Sequence, residues 1–453
     1  MLVAYRGYSV ILFAPLCALL GVLLTNGPWH GLPFHSSVFM ATMADFVQKY
    51  FAVFLLGAVF GKVIELSGSA ASISKAIVNC LGPKRAMLAI VLACAVLTYG
   101  GVSLFVVAFA VYPFAATLFR EARLPKRLIP GTIALGSFTF TMDALPGTPQ
   151  IQNIIPTTFF GTTIYAAPIL GTVGAVFVFG CGMAYLQRRG RQAIAKGEGY
   201  GEGHVNEPEE GRPDAKLPNP LLAVLPLVLV GGGNLVFTRC IPSWYGESFD
   251  FAPLGLPAFP AVKVASVVGI WSIELALLVG IAATLAIGSS RIMPTVKAGL
   301  THAVGGALLA TMNTASEYGF GSVIASLAGF AAVKAAIGSA FSHPLLNAAV
   351  SVNVLAGITG SASGGLGIAL AALGKQYLEA AQGAGISPEV LHRVASMASG
   401  GMDTLPHNGA VITLLAITGL THRQSYRDIF ALTLIKTAAV FLVIGFYVLT
   451  KLV

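Results

Sequence analysis

Apolar residues in this chain run on for longer than a water-facing core requires. Stretches rich in Leu, Val, Ile, Ala, Phe and Gly cover 8–26, 46–64, 165–186, 219–238, 264–289 and 429–450. About 20 helical residues cross the hydrocarbon of a bilayer, so each stretch is predicted to span. Residues 128–160, 297–330 and 393–420 have apolar ends but polar or proline-bearing middles, and are predicted as interrupted spans. Residues 86–119 and 342–374 differ again. Each has two apolar arms shorter than a crossing, joined by a tip: Thr98-Tyr99-Gly100-Gly101-Val102-Ser103 in one, Thr359-Gly360-Ser361-Ala362-Ser363-Gly364-Gly365 in the other. These are predicted re-entrant hairpins, which are tolerated at membrane depth only when buried in protein or lining a wet cavity.

The interrupted spans repeat a motif. Met142-Asp143-Ala144-Leu145-Pro146 returns 260 residues later as Met402-Asp403-Thr404-Leu405-Pro406. Proline forbids continuous helix, because it removes one amide N–H and crowds the preceding turn. Freed carbonyls then face a cavity, and the downstream half-helix opens with partial positive charge suited to an anion. A duplicated, interrupted helix paired with a hairpin in each half is the build of secondary transporters. The expected fold is all-α and polytopic: an inverted-topology repeat with two re-entrant hairpins and broken transmembrane helices. Residues 1–186 form repeat 1, 187–263 a cytoplasmic linker with connecting helix 219–238 and an external loop, and 264–453 repeat 2.

Composition agrees: 56% hydrophobic, 10% charged, mean hydropathy +0.81, against about 25% charged in a soluble domain. The net charge of +9 does not point to nucleic acid. Arg120, Arg123, Lys126 and Arg127, then Arg188, Arg189, Arg191 and Lys196, cluster at span ends, where basic residues signal topology. Alternate threading then puts the N-terminus in the cytoplasm and the C-terminus outside, in a multi-pass bacterial inner membrane protein. The loop 187–218, mixed in charge and without apolar period, reads as a flexible solvated linker with no chemistry. Five scattered cysteines show no metal or disulfide spacing. The apolar N-terminal run has no clear cleavage site and reads as a retained span.

Candidate chemistry gathers at the breaks and tips. Asp143 and Asp403 are intramembrane carboxylates, costly and usually functional, although either could merely cap a helix. Around them Thr139, Thr141, Gly147, Thr148, Gln150, Gln152 and Asn153 supply donors and backbone in the first half, and Ser396, Ser399, Thr404, His407, Asn408 and Thr413 in the second. At the tips, Thr98, Tyr99, Gly100, Gly101 and Ser103 face Ser361, Ser363, Gly364 and Gly365 as substrate-binding candidates; glycine lets backbone touch ligand and hydroxyls give directional bonds. Asp143, Asp403, His407 and Glu317 are the proton-coupling candidates, His407 by its near-neutral titration. Lys62 and Glu65 read as an ion pair, and Glu274 should face protein or water. The chain has no Walker motif, HExxH, Gly-x-Ser-x-Gly or paired metal ligands. No enzyme, metal site or cofactor is expected, and an ion gradient is the expected energy source. An antiporter of sodium and protons would need the same carboxylates; a channel is disfavoured by the lack of a continuous polar face on any span.

The stretch Gly61-Lys62 to Ser69, the tip Tyr99-Gly100-Gly101, the segment Asp143 to Asn153 with Pro146 and Pro149, and Ser396 to Asn408 resemble the gluconate permease (GntP-type) family of the ion transporter superfamily. The resemblance implies proton-linked import of a small hydroxy- or keto-carboxylate such as 3-hydroxybutyrate or gluconate, a site made by the two tips and two broken helices, and a homodimer. Sodium coupling would use the same oxygens. Gluconate-type members carry a His/Pro-rich stretch where this chain has Leu145-Pro146-Gly147-Thr148-Pro149-Gln150, which leaves room for a less polar substrate.

Overall fold

The computed structural model of the chain describes residues 10–102, 104–207, 217–329, 341 and 343–453. The described residues are helical apart from one short antiparallel pairing, Ser248–Phe249 (β1) with Val262–Lys263 (β2). The main helices are α1 Val10–Asn26, α2 Ala41–Leu66, α3 Ser69–Leu81, α4 Ala86–Tyr99, α5 Leu104–Glu121, α6 Ile129–Ser137, α7 Phe140–Asp143, α8 Ile151–Phe160, α9 Pro168–Ala195 and α10 Pro220–Tyr245. After these come α11 Val264–Ile292, α12 Val296–Ser326, α13 Pro344–Thr359, α14 Ala362–Gly383, α15 Pro388–Ser399, α16 Gly409–Thr418 and α17 His422–Thr450. By length and apolarity, Pro28–Leu66, α9, α10, α11 and α17 can each cross a membrane. Local chemistry starts several helices. Proline occupies the first turn of α9, α10, α13 and α15, where its missing N–H costs nothing. Asn219 and Ser387 cap α10 and α15, and Thr421 with Gln424 closes a capping box on α17.

Both expected hairpins are helical pairs. The pair α4/α5 turns through Gly101 at φ +91°, and α13/α14 through Gly360 at φ +66°, a region glycine enters without strain. The second arm of the second hairpin is 22 residues, longer than its sequence pattern implied; Ser103 and the first residue of 342–374 lie outside the described residues. Upstream, α3 and the segment Pro83–Tyr99 meet at 101° across Gly82. The spans 128–160 and 393–420 are broken as expected: α6, α7 and α8 in one, α15 and α16 in the other.

The predicted span 297–330 is continuous through its polar middle. From Val296 to Ser326 it is one 31-residue helix. Its polar run Asn313 to Tyr318 contains no proline, and nearly all of that turn is buried against neighbouring helices, so polarity there reports partners and leaves the helix intact.

The contacts repeat under the 260-residue shift that relates the two Asp-x-Leu-Pro motifs. The helix α1 packs on α12 and α11 on α2; α8 packs on α14 and α16 on α5; α8 meets α15 and α16 meets α6. Two pairs, α2 with α12 and α9 with α17, lie across the pseudo-twofold. Each distal half of a broken helix therefore rests on the hairpin of the other half of the chain. The connecting helix α10 stands outside the pattern, packed on α11 and α3.

The segment after α9 is a correction. Helix α9 continues to Ala195, and the stretch that follows is pinned down. Glu198 pairs with Arg127 at 2.6 Å, Glu207 pairs with Lys126 at 2.7 Å and also with Arg120, and Lys126 Nζ donates to the Val205 carbonyl at 2.8 Å. Asn206 donates to the Ala416 carbonyl, and Tyr112 donates to the Asn206 carbonyl, both at 2.8 Å. This strap joins the first hairpin to the last turn of α16. Composition concealed it because every partner is remote in sequence.

Candidate functional site

At the first break, α6 ends at Ser137 and α7 is a single turn ending on Asp143. The chain then runs irregularly to α8. Hydroxyl and amide side chains knit this stretch. Thr148 donates to the Thr141 carbonyl at 2.7 Å, and Asn153 donates through Nδ2 to the carbonyls of Thr148 and Ile164 at 2.9 and 2.8 Å. The first tip leans on the same loop: Tyr99 donates to the Pro146 carbonyl at 2.9 Å, Gln150 donates to the Thr98 carbonyl at 2.8 Å, and a Cβ on Gly101 would sit 3.2 Å from Pro149. Gly147 lies against Tyr165 and the Tyr99 hydroxyl.

The second break follows the same plan. Asn408 caps α16 by accepting from the Val411 amide at 2.9 Å, and its Nδ2 donates to the Gly360 carbonyl of the second tip at 2.9 Å. His407 packs on Gly360, its Nε2 buried without a partner. Thr404 shares a 2.6 Å hydrogen bond with Thr433, and Tyr426 donates to the Thr404 carbonyl at 3.1 Å. Capping of α16 falls to Asn408, and Asp403 lies in the turn before it; Asp143 closes α7. The alternative that these aspartates are N-caps is therefore excluded by geometry.

The two breaks meet through residues the sequence reading passed over. Arg393 on α15 is fully buried. Its five N–H groups make five hydrogen bonds to four acceptors: the Ala166 carbonyl twice, at 3.1 and 2.7 Å, the Ile164 and Asp143 carbonyls at 3.2 Å, and Asn153 Oδ1 at 3.0 Å. It forms no ion pair, and all its partners belong to the other half of the chain. Beside it, His392 bridges Asn153 Oδ1 at 3.1 Å and Thr162 at 2.6 Å, and Ser396 donates to the Asp143 carbonyl at 2.9 Å. Lys436 on α17, 3% exposed, donates to Asp403 Oδ1 and to the Phe138 carbonyl, both at 2.8 Å. A basic residue inside an apolar run is the signal that would have marked Lys436; Arg393 is the first residue of the predicted stretch 393–420, where a basic residue draws no notice.

Asp143 has no such partner. Its Oδ2 is buried and unbonded, pressed on Gly400, and Lys436 Cε lies on the same glycine at 3.4 Å from a Cβ there. Next along, Gly401 lies against Asn353 Oδ1, also buried and unbonded. The glycine pair thus separates two unsatisfied oxygens, one from each half, at the second break. Thr98 Oγ1 and Gln152 Oε1 are unpartnered too. Buried polar atoms nearly always find partners, so the two unsatisfied oxygens at Gly400 and Gly401 mark a place where a ligand or water belongs.

Other candidates are engaged locally. Ser361 accepts from the Gly364 amide at 3.0 Å and stands 3.5 Å from Ser363, while Gly365 packs against Ala356 of the opposing arm. Thr139 and Ser399 bond carbonyls of their own turn, and Thr413, half-buried on α16, donates to the Gly409 carbonyl. Lys62 and Glu65 form the expected ion pair at 2.8 Å. Glu274 is half-buried on α11. Glu317 lies on α12, against the second hairpin.

Two broken helices gripped by opposing hairpins around buried charge, in a chain of long apolar helices, define a multi-pass membrane transporter. No family model matches the chain. A Bacillus subtilis (strain 168) protein named as the uncharacterized transporter YxjC is 61% identical over 460 residues, covering all of this chain and 97% of that protein. The chain belongs to the family of that transporter. In fold it is similar to the crystal structure of the Alcanivorax borkumensis YdaH transporter, with a TM-score of 0.54 over 97% of each chain at 13% identity. Neither relative's name confirms the gluconate permease resemblance.

Proposed function

We propose that the protein is a secondary active importer of a small organic anion, a short hydroxy- or keto-carboxylate, driven by proton symport across the bacterial inner membrane. The observation that carries this reading is Arg393. It is a buried guanidinium whose hydrogen bonds are all to neutral oxygens, so its charge has no counterion in contact. In a low-dielectric interior such a charge favours an anion nearby. The unbonded amide oxygens of Gln152 and Asn353 would accept from a substrate hydroxyl, the Thr98 hydroxyl would donate to the carboxylate, and the half-helix start at Asn408 adds partial positive charge. The gluconate permease resemblance supports the same substrate class, and the loop Leu145 to Gln150 favours its less polar members.

In this reading the halves are inverted in the membrane, the hairpins are re-entrant, and two copies assemble as a dimer. A carboxylate of the chain takes the coupling proton as the anion enters, which keeps net charge in the site low. Uptake of labelled 3-hydroxybutyrate, gluconate and citrate into proteoliposomes, with proton and sodium gradients imposed separately, tests it. Accumulation of one carboxylate under a proton gradient alone is expected. Accumulation only with sodium would replace the coupling ion, and no accumulation of any carboxylate would remove the symporter.

A further inference from the structure

We propose that Glu317, seated on Gly364 of the second hairpin, is an exchangeable-proton site distinct from the Asp143–Asp403 centre. Within the symporter reading it is the coupling residue; as a proton site it stands without that reading.

Glu317 lies in the middle of the continuous helix α12 and is 8% exposed. Among the described residues its carboxyl group makes no hydrogen bond and no ion pair, and a Cβ added to Gly364 would overlap Glu317 Oε2. The missing side chain of Gly364 is what allows a carboxyl oxygen to rest on the backbone of the hairpin arm. Neighbouring contacts have the same character: Gly367 faces Tyr318, and Gly321 faces Ile368. The interface between α12 and α14 is thus close, small-residue packing of the kind membrane helices use to approach each other.

Among the described residues, no charge faces the carboxyl group from the elements packed on α12. On α2, Asp45 pairs with Lys49, Lys62 pairs with Glu65, and the Tyr50 hydroxyl bonds Thr158 and the Ile155 carbonyl. On α14, Lys375 and Glu379 pair with each other, and Tyr377 has an unbonded hydroxyl. Helix α1 carries Cys17, which is exposed, and the turn before α2 carries His35, stacked on Phe39. On α12 itself, Lys297 and His302 lie near its start and Tyr318 packs on Phe46. An ionised carboxylate left unpaired in such surroundings is among the costliest groups a membrane protein can hold. Packed this way, the group is the neutral acid. Contact with Gly364 fills one side of it, which leaves little space for a larger cation with its oxygen shell.

Hydroxyl groups lead from the neighbouring turn of α12 toward the tip. The Thr314 hydroxyl, one turn before Glu317, lies 3.5 Å from the Ser363 hydroxyl, and Ser363 lies 3.5 Å from Ser361 at the tip. Asp403 is less suited to the task, because Lys436 already neutralises it at 2.8 Å. Packing alone does not require an acid here: 260 residues earlier the chain has Gly57 and Leu104 in place of Glu317 and Gly364.

Dicyclohexylcarbodiimide reacts with protonated carboxyl groups in apolar surroundings and needs no substrate. Purified protein would be treated across a pH series, with sodium chloride or choline chloride at equal ionic strength, and adducts mapped by peptide mass spectrometry. The expected result is an adduct on Glu317 that declines as pH rises, is the same in both salts, and is absent in Glu317→Gln. No adduct at any pH, or protection by sodium at constant pH, would overturn the proposal. In proteoliposomes that accumulate labelled 3-hydroxybutyrate, Glu317→Gln should abolish proton-driven accumulation while carboxylate exchange continues; undiminished accumulation overturns the coupling role. If wild-type protein moves no carboxylate, the substrate reading falls and the adduct alone decides the proton site.

Discussion

Lys436 and Asp403 show how a single buried pair constrains the centre. They meet at 2.8 Å and are 3% and 7% exposed. Removing one partner leaves an uncompensated buried charge, a loss of about 3–5 kcal/mol, whereas removing both is often nearly neutral. Asp403→Asn and Lys436→Met should each lower the melting temperature of detergent-solubilised protein. The double variant should recover most of the loss. Equal melting of the two single variants and wild type would show that the pair contributes nothing. Asp143→Asn should behave differently, with little effect on melting but impaired transport, because Asp143 Oδ2 has no partner to lose. The aspartates were legible from the repeated motif. Their opposite circumstances were not, since the deciding residues, Arg393 and Lys436, lie 250 and 33 positions away from the groups they hold.

At the scale of elements, the tips depend on backbone that only glycine adopts freely. Gly101 combines φ +91° with a Cβ position 3.2 Å from Pro149. Gly101→Ala should cost about 1–2 kcal/mol from the left-handed backbone alone, measured as a fall in melting temperature, and should misplace Tyr99 on its Pro146 carbonyl. A variant as stable as wild type would show that the tip has another conformation open to it. Breaks and hairpins were readable because their causes are local: Pro146, Pro406 and the Gly-rich tips carry the instruction in a few adjacent residues. The continuity of α12 was not readable in the same way. A polar run can mean a break or a set of buried partners, and only tertiary contact separates the two.

Across the whole molecule, the strap from Glu198 to Glu207 ties the first hairpin to α16. Hydrogen bonds from Arg127 hold the Glu198 carboxyl below the usual glutamate value. A depressed folded value means the contribution is present above the ordinary glutamate range of about 4.3 and is lost as pH falls through the folded value below it. Hydrogen exchange across 198–207 should therefore stay slow at neutral pH and rise below about pH 4. Glu207→Gln should raise it at neutral pH, since Lys126, which is 0% exposed, would lose its ion-pair partner. Exchange already fast in wild type would mean the strap is not held. Reporter fusions should place the two chain ends on opposite faces of the membrane; a shared face would break the proposed threading.

The pseudo-twofold has one further implication. Both interior cations that tie the centre together come from the second half, and they hold backbone oxygens of the first; the matching positions in the first half are Ile133 and Val176. The halves are alike in outline yet have ceased to be exchangeable parts. A protein made by joining two first halves would possess both fractures and nothing to fasten them. One made from two second halves would bury a surplus of basic groups. Whatever symmetric ancestor the repeat preserves, the present molecule works as a lock and its key cast from one mould and then filed differently.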